Sequence, residues 1–225
     1  MPGDGAGLQS RDPAIVSVPE IRDYLQINRR LTQLLDAGVS QIRLVGVEKQ
    51  RLLISGLKGI WAATIVVEGV AGPELGAQLD APNLLVLASS AADGVGSRLK
   101  AGSLILSGEV GHCPGYAQQG GVILLAGAVA GRAGLEQQGG TLIISGRSGP
   151  LCGERQRGGS LVLLGEVEPR GFGYARSGGR RESPDGRIAG TTSISNESQM
   201  VVKYLSKVAS AHLGSRPEIE TQHSR

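Results

Sequence analysis

The sequence predicts an all-β fold, a single-stranded parallel β-helix with about 19 residues in each coil. The first observation is a repeat of short aliphatic segments, which end on a small residue at an almost constant step. The closing positions are Gly69, Ala88, Gly108, Gly127, Gly146 and Gly165. The second is composition: aromatic residues make up 3% of the chain and glycines number 36, so Leu, Ile, Val and Ala must form thin, stacked layers.

Each repeat contains one predicted strand of about six residues. The segments are TIVVEG, NLLVLA, SLILSG, VILLAG, TLIISG and SLVLLG. A step of 19 residues is too short for a βαβ unit, which needs about thirty. Equivalent strands should therefore pair in parallel at roughly 4.8 Å and stack like side chains into columns.

Glycines follow each strand in clusters such as GEVGHCPG and GRSGPLCG, and a second set occurs in pairs such as QQGG. We expect them at corners, where the chain turns with positive φ or where the neighbouring coil leaves no room for a Cβ atom. The glycines assigned to this structural role are Gly69, Gly108, Gly111, Gly115, Gly127, Gly146, Gly149, Gly153 and Gly165.

The flanks predict helical caps, which a solenoid needs because its end strands are otherwise open to further pairing. Residues 1–46 form a lead-in, in which Ser17 and Glu20 fit a capping box before a helical pattern that stops at Gly38. QIRLVG and the strand-like RLLISG are expected to form the first, irregular coil. Residues 47–168 are the β-helix, and 169–225 are an Arg- and Gly-rich linker followed by an amphipathic helix.

Charge and cysteine content narrow the functional class. The formal net charge of +3 is too small to predict nucleic-acid binding. Two cysteines and the lack of an apolar leader after Met1 favour a cytoplasmic protein. No window approaches the roughly 18 consecutive apolar residues of a membrane span.

The glycine clusters resemble those of a known domain family. GVAGPELGAQL, SAADGVGSRLKAGSLILSGEVGHCPGYAQQGGVILLAGAVAGRAG and GPLCGERQRGGSLVLLG are similar to the GXGXG β-helix domain. That domain ends the large subunit of glutamate synthase and occurs in the β-helical subunit of formylmethanofuran dehydrogenase and in stand-alone glutamate-synthase-like subunits. INRRLTQLL, with Asn28 and Arg29, looks like the lead-in of the glutamate synthase version, and the resemblance covers Ile27 to Gly165. The chain departs from the family before the paired glycines, where the family often has methionine and this chain has Leu99, two residues ahead of Ala101, and Gln118 or Gln137 elsewhere.

The resemblance implies a right-handed β-helix that supports catalytic subunits without itself holding a cofactor, metal or nucleophile. We therefore expect no intrinsic activity, no bound cofactor and no catalytic residue in this chain. The expected partner is a larger catalytic subunit of a glutamate-synthase-like, oxidoreductase-type or amidotransferase complex. A component of a formyltransferase/hydrolase complex, like the β-helical subunit of formylmethanofuran dehydrogenase, is the alternative.

Two groups of side chains are candidates for a catalytic or binding role. The first group is the two cysteines. Cys113 follows His112, and an imidazolium can activate a thiol, but adjacent residues of an extended chain point to opposite sides. Cys152 lies two coils away, about 10 Å along the stack, which is too far for a disulfide. We expect packed, unreactive cysteines and, with one histidine in the repeats, no metal site.

The corners also carry charges. Four acidic residues in successive corners could form a carboxylate column, although solvated rim charges are the simpler interpretation; they are Glu74, Asp93, Glu136 and Glu154. A basic cluster follows the repeats and is the candidate contact with an acidic partner or polyanion, which would make the chain a free-standing binding module. Its members are Arg170, Arg176, Arg180, Arg181 and Arg187, of which Arg176, Arg180 and Arg181 are the assigned contacts.

The hexapeptide acyltransferases are an alternative enzyme class, because they also use coils of about eighteen residues. Those coils place an aliphatic residue at every sixth position and require a catalytic histidine. The nineteen-residue step and the single histidine of the repeats, His112, argue against this class.

Overall fold

A computed structural model describes residues 12–173, 176–183, 192–193 and 203 of the chain. These residues form a parallel β-solenoid with two short helices near the N-terminus. The helices are α1 (Val18–Ile21) and α2 (Tyr24–Asp36). Neither helix, within the part of the chain described, is long and apolar enough to cross a membrane.

The strands belong to one sheet. They are β1 (Ala14–Ser17), β2 (Gln41–Glu48), β3 (Ala63–Ala71), β4 (Asp80–Ala91), β5 (Ala101–Leu106), β6 (Val110–His112), β7 (Val122–Leu125), β8 (Val129–Gly131), β9 (Thr141–Ile144), β10 (Ser160–Leu163), β11 (Arg180–Ser183) and β12 (Thr192–Ser193). The main path runs β1-β2-β3-β4-β5-β7-β9-β10-β11-β12, with each neighbouring pair parallel. The short strands β6 and β8 pair on a second face. The predicted single-stranded parallel β-helix is confirmed.

Register is maintained across the regular coils without a shift. Leu104 pairs with Ile123, Ile123 with Leu142 and Leu142 with Leu161, so aliphatic side chains stack into an inward column. Residues one position further along point to the opposite face because side chains alternate in a strand. The inward set is fully buried and forms the main core.

The divergent repeat has a different register from the predicted one. Ala88 was expected opposite Gly69 and Gly108, but it pairs with Val67 and Leu106. In this repeat the residue that pairs with Thr64 and Ser103 is therefore Leu85, and not Asn83 as the alignment of the repeats predicted. A shift of two residues keeps every side chain on the same face of the sheet, so the hydrophobic pattern tolerates it.

The first coil also differs from the sequence expectation. RLLISG forms a turn, not a strand, and Leu52 and Ile54 have positive φ values of 57° and 62°. Ser17 caps α1 without a side-chain hydrogen bond, so the predicted capping box does not form. The sheet begins at β1, before the predicted boundary at residue 47.

Helix α2 closes the N-terminal end of the stack. Its buried side chains include Ile27 and Leu31 of the main core and the polar Asn28. Asn28 Nδ2 donates to the carbonyl oxygens of Leu52 (2.9 Å) and Ser55 (3.3 Å), and its Oδ1 accepts the Ile54 N–H at 2.8 Å. One amide thus satisfies backbone groups of the first turn that have no preceding coil to pair with.

Replacing Asn28 with alanine is expected to lower the free energy of unfolding by about 2–3 kcal/mol, because it removes the acceptor of the buried Ile54 N–H and a donor to the carbonyls of Leu52 and Ser55. Urea denaturation followed by circular dichroism measures this loss. Arg29→Ala is the matched control, since Arg29 is the exposed neighbour in the same helix. Equal losses in the two variants would contradict a specific capping role for Asn28.

The coil continues beyond the predicted end at residue 168. Strand β11 pairs with β10 in register, Leu161 opposite Arg181, and β12 pairs with β11. Residues 169–173 and 176–183 are therefore part of the solenoid and not the predicted linker. The repeat pattern does not reveal this coil because the step from Leu161 to Arg181 is 20 residues and the inward position changes from leucine to arginine. The predicted C-terminal helix lies outside the described residues, apart from Lys203.

Candidate interaction surfaces

One corner of the solenoid is built from turns with alternating positive φ. In six successive coils three positions, two residues apart, adopt this conformation; in one coil they are Arg132, Gly134 and Glu136, at 53°, 67° and 56°. Each turn bonds to the next coil, as when the Arg132 N–H donates to the Pro150 carbonyl at 2.8 Å. Glycine holds the middle position in five successive turns, at Gly76, Gly96, Gly115, Gly134 and Gly153.

The assigned glycines fall into two geometric classes. Gly69, Gly115 and Gly153 have positive φ values between 66° and 117°. At the others, a Cβ atom would approach another residue of the neighbouring coil more closely than 3.0 Å, mostly at backbone atoms; these are Gly108, Gly111, Gly127, Gly146, Gly149 and Gly165.

The outer side of this corner carries an open groove of about 580 Å³. Its lining mixes acidic, basic, aromatic and thiol side chains across successive coils, and we call it the corner groove. It is lined by Pro73, Glu74, Asp93, Gly94, Ser97, Cys113, Tyr116, Arg132, Leu135, Glu136, Glu154 and Arg155. All four acidic residues proposed from the sequence are present.

The carboxylates of the corner groove are engaged with different partners. Asp93 accepts the backbone N–H of His112 at 2.7 Å, and Glu136 pairs with Arg155 at 3.1 Å. Glu74 lies 3.9 Å from Arg51 at the end of the groove. These ion pairs are substantially exposed, so each contributes little to stability. The groove therefore presents both acidic and basic side chains at one corner of the solenoid.

Burial opposes ionisation of both cysteine thiols. Burial raises the pKa of Cys113, an effect that nearby Arg132 opposes and Asp93 reinforces. Burial raises the pKa of Cys152 to about 11, and its Sγ donates to the Gly149 carbonyl at 3.3 Å. Both thiols are free, as predicted. Within the described ranges, no three His, Cys, Asp or Glu side chains cluster in a way that could hold a metal ion.

The raised pKa of Cys152 predicts a loss of stability at high pH. The folded state holds the thiol proton more tightly than the unfolded state does, so this contribution is present below the ordinary thiol pKa of 9.0 and is lost as pH rises towards about 11. We expect the Tm of the wild-type chain to fall relative to that of Cys152→Ala between pH 8.5 and pH 11. Differential scanning fluorimetry across this range tests it, and a constant Tm difference would contradict it.

The basic cluster is divided by the fold. Arg176 is exposed and donates to the carbonyls of Gly178 and Gly179, while Arg180 pairs with Glu182 at 2.7 Å. Arg181 is buried, with 5% of its surface exposed. Of the three assigned partner contacts, Arg181 is therefore inaccessible and Arg176 and Arg180 lie at the surface. Arg187 lies outside the described residues.

Arg181 instead ends a buried polar ladder that the sequence pattern did not predict. Three glutamines with no exposed surface occupy one inward column: Gln118, Gln137 and Gln156. Gln137 Nε2 donates to Gln118 Oε1 at 3.3 Å, and Gln156 Nε2 donates to Gln137 Oε1 at 3.1 Å. Arg181 Nε then donates to Gln156 Oε1 at 3.0 Å. The sequence does contain a pattern that could have predicted the ladder, because the first glutamine of QQGG and QRGG recurs in successive coils. At this position the GXGXG family often has methionine instead.

The guanidinium of Arg181 is satisfied inside the solenoid. It donates to the carbonyls of Gly153 and Gly173 and lies 5.3 Å from the centre of the Phe172 ring. Burial, and then the charge of Arg176, lowers the pKa of Arg181. Arginine remains protonated in proteins and can only donate hydrogen bonds, so Gln156 must direct its oxygen towards it. The direction of the whole ladder follows from this constraint.

In comparisons with known proteins, no protein-family model, curated protein or solved structure matches the chain.

Proposed function

We propose that the chain is a non-catalytic scaffold subunit that docks a larger catalytic subunit of a glutamate-synthase-like or amidotransferase complex. The resemblance of its glycine clusters to the GXGXG domain supports the partner class. A component similar to the β-helical subunit of formylmethanofuran dehydrogenase is the alternative within the same structural role. No activity or cofactor of its own is proposed.

The observation that carries the proposal is the filled, in-register interior. From Leu104 to Leu161 each coil places an aliphatic side chain directly over the last, and the glutamine ladder fills a parallel column. Such a stack is rigid, so its outer faces are ordered before any partner arrives. Preorganised surfaces bind at a lower entropic cost than surfaces that must be ordered on binding.

The corner groove is the proposed docking face. It is a concave feature of about 580 Å³, and it is open rather than enclosed. Its exposed charges include Arg132 and Arg155, and Arg155 pairs with Glu136 at 3.1 Å. Charge patterns of this kind favour one orientation of a partner and exclude others by repulsion.

Gentle purification of the tagged chain from its own cell, with mass spectrometry of the attached proteins, tests the proposal. We expect a catalytic subunit of synthase or amidotransferase type to remain bound, and its identity separates the two alternatives. Arg132→Glu should reduce recovery of the partner at least tenfold. Arg157→Glu is the matched control, because Arg157 is also exposed but does not line the groove.

Two results would overturn the proposal. Recovery of the chain without any catalytic subunit would exclude docking. Turnover by the isolated chain, measured as glutamine hydrolysis or glutamate formation, would exclude a purely structural role.

A further inference from the structure

The charge along one side of the corner groove changes sign across a single coil. That central coil contributes Cys113 and Tyr116, which are half-buried. The coil before it carries Asp93 and the coil after it carries Arg132, and both charged side chains are exposed. The Cys113 N–H donates to the Gly131 carbonyl at 2.9 Å, which places Arg132 in the directly adjacent coil. On this side an acidic coil therefore precedes the central coil and a basic coil follows it.

The other side of the groove has the opposite order. Arg98, in the coil before Tyr116, is exposed and lies 5.6 Å from the centre of the Tyr116 ring. Glu136 lines the groove in the coil after Tyr116. The Arg98 N–H donates to the Tyr116 carbonyl at 2.7 Å, and the Ala117 N–H donates to the Leu135 carbonyl at 2.8 Å, so the three coils are directly adjacent. On this side a basic coil comes first and an acidic coil follows.

A surface with this pattern is complementary to itself. A two-fold axis through the central coil, perpendicular to the solenoid axis, reverses the order of the coils in a second copy of the chain. Asp93 then faces Arg132 of the second copy. In the same way Arg98 faces Glu136 of the second copy, and symmetry repeats both contacts. Opposite charges that face each other set the register of an interface and disfavour other orientations.

We propose that the chain associates with a second copy of itself through the corner groove, with the two solenoids antiparallel. The two-fold axis places the central coils of the two copies opposite each other, Cys113 against Cys113. This association does not depend on the proposed function. If the catalytic subunit docks at the same groove, it must displace the second copy.

The dimensions of the groove predict a weak dimer. The five coils that line it, from the coil of Glu74 to that of Arg155, span about 19 Å along the solenoid axis. A contact of this length along one corner is smaller than a standard-size interface, and small interfaces are typical of transient complexes. Salt screens the exposed charges, so the Kd of the dimer should rise with ionic strength. A second copy held this weakly can be displaced by a partner.

Charge-reversal variants of the purified full chain test the antiparallel geometry. In sedimentation equilibrium, Arg98→Glu and Glu136→Arg should each raise the Kd of the dimer at least tenfold, because each places like charges opposite one another. The chain with both substitutions should return to within about threefold of the wild-type Kd, since opposite charges face each other again. Arg157→Glu is the matched control and should leave the Kd unchanged, because Arg157 is exposed but does not line the groove.

Two sedimentation results would overturn the proposal. One is a wild-type chain that is monomeric at every concentration. The other is a double variant as weak as the single ones, which would indicate a parallel arrangement with Arg98 opposite Asp93 of the second copy. Neither result changes the recovery of a catalytic subunit, so the failure of the dimer and the failure of the proposed function are distinguishable.

Thiol crosslinking provides an independent readout. A short bismaleimide should link two wild-type chains through Cys113, giving a product of twice the chain mass in denaturing electrophoresis. Cys113→Ser is the matched control and should give no product, because the other cysteine of the chain, Cys152, has no exposed surface. Failure to link wild-type chains at a concentration where sedimentation shows the dimer would contradict the proposed geometry.

Discussion

Replacing Gly146 with alanine is expected to lower the free energy of unfolding by about 3 kcal/mol, the upper end for overpacking. Gly146 lies in a column with Gly108, Gly127 and Gly165, in which each Cβ position is occupied by backbone of the preceding coil. The atoms that a Gly146 Cβ would meet are the carbonyl carbon and oxygen of Gly127 and the oxygen of Ala126. Backbone atoms cannot rotate away as a flexible side chain can, so the two coils must separate and lose ladder hydrogen bonds.

Gly38→Ala is the matched control for this prediction. Gly38 has φ +81°, but no atom lies within 4 Å of its Cβ position. Alanine there incurs only the left-handed backbone strain, about 1–2 kcal/mol. Urea denaturation of both variants separates the two effects. A loss at Gly146 no larger than the loss at Gly38 would show that the coils have room to adjust.

The periodic part of the fold could be predicted from the sequence because the same physical constraint recurs in every coil. A stacked strand needs aliphatic residues at alternate positions, and a close corner needs glycine, so both signals repeat every 19 residues. The register from Leu104 to Leu161 follows directly from aligning the repeats. At Ala88 the same method failed, since a shift of two residues preserves the alternation on which the alignment relies.

The sequence did not predict the buried polar residues. They occupy coil positions at which other coils have leucine, so the residue type changes from one coil to the next although the position stays the same. Leu57, Leu79 and Leu99 occupy the column that Gln118 continues, as the backbone hydrogen bonds of adjacent coils show. A buried glutamine looks like a surface residue in a hydrophobicity pattern, because only its neighbours in space satisfy its amide. Arg181 resembles a linker residue for the same reason. The Gln156, Gly173 and Gly153 acceptors of its hydrogen bonds lie 8 to 28 residues away in sequence.

The charged corners could be located from the sequence, but their pairings could not. Glu74, Asp93, Glu136 and Glu154 were expected in successive corners, and all four line the corner groove. Which carboxylate meets which cation depends on side-chain position within a turn. The pairing of Glu136 with Arg155 joins neighbouring coils at 3.1 Å, a contact that repeat spacing alone does not specify.

Substitutions in the glutamine ladder are also expected to lower the free energy of unfolding substantially. Gln137→Leu makes the core more apolar, yet we expect it to lower the free energy of unfolding by about 2 kcal/mol. The substitution removes the donor to Gln118 Oε1 and the acceptor of Gln156 Nε2, and both groups are buried. Gln138→Leu is the matched control, because Gln138 is the exposed neighbour in the same coil; its effect should stay within about 0.5 kcal/mol. Urea denaturation measures both, and equal effects would contradict the role of the ladder.

The ladder should also behave as one unit. Arg181→Met alone leaves Gln156 Oε1 and the carbonyls of Gly153 and Gly173 without their donor, so we expect a loss of about 3 kcal/mol or more. Changing the three glutamines to leucine together with Arg181→Met removes all four polar side chains of the ladder at once and extends the leucine column of the first coils. That fourfold variant should lose much less stability than the sum of its single substitutions, since complete apolar replacement of a buried network is often nearly neutral. Additive losses would instead show that each amide is stabilised by its own coil and that the ladder transmits nothing between coils.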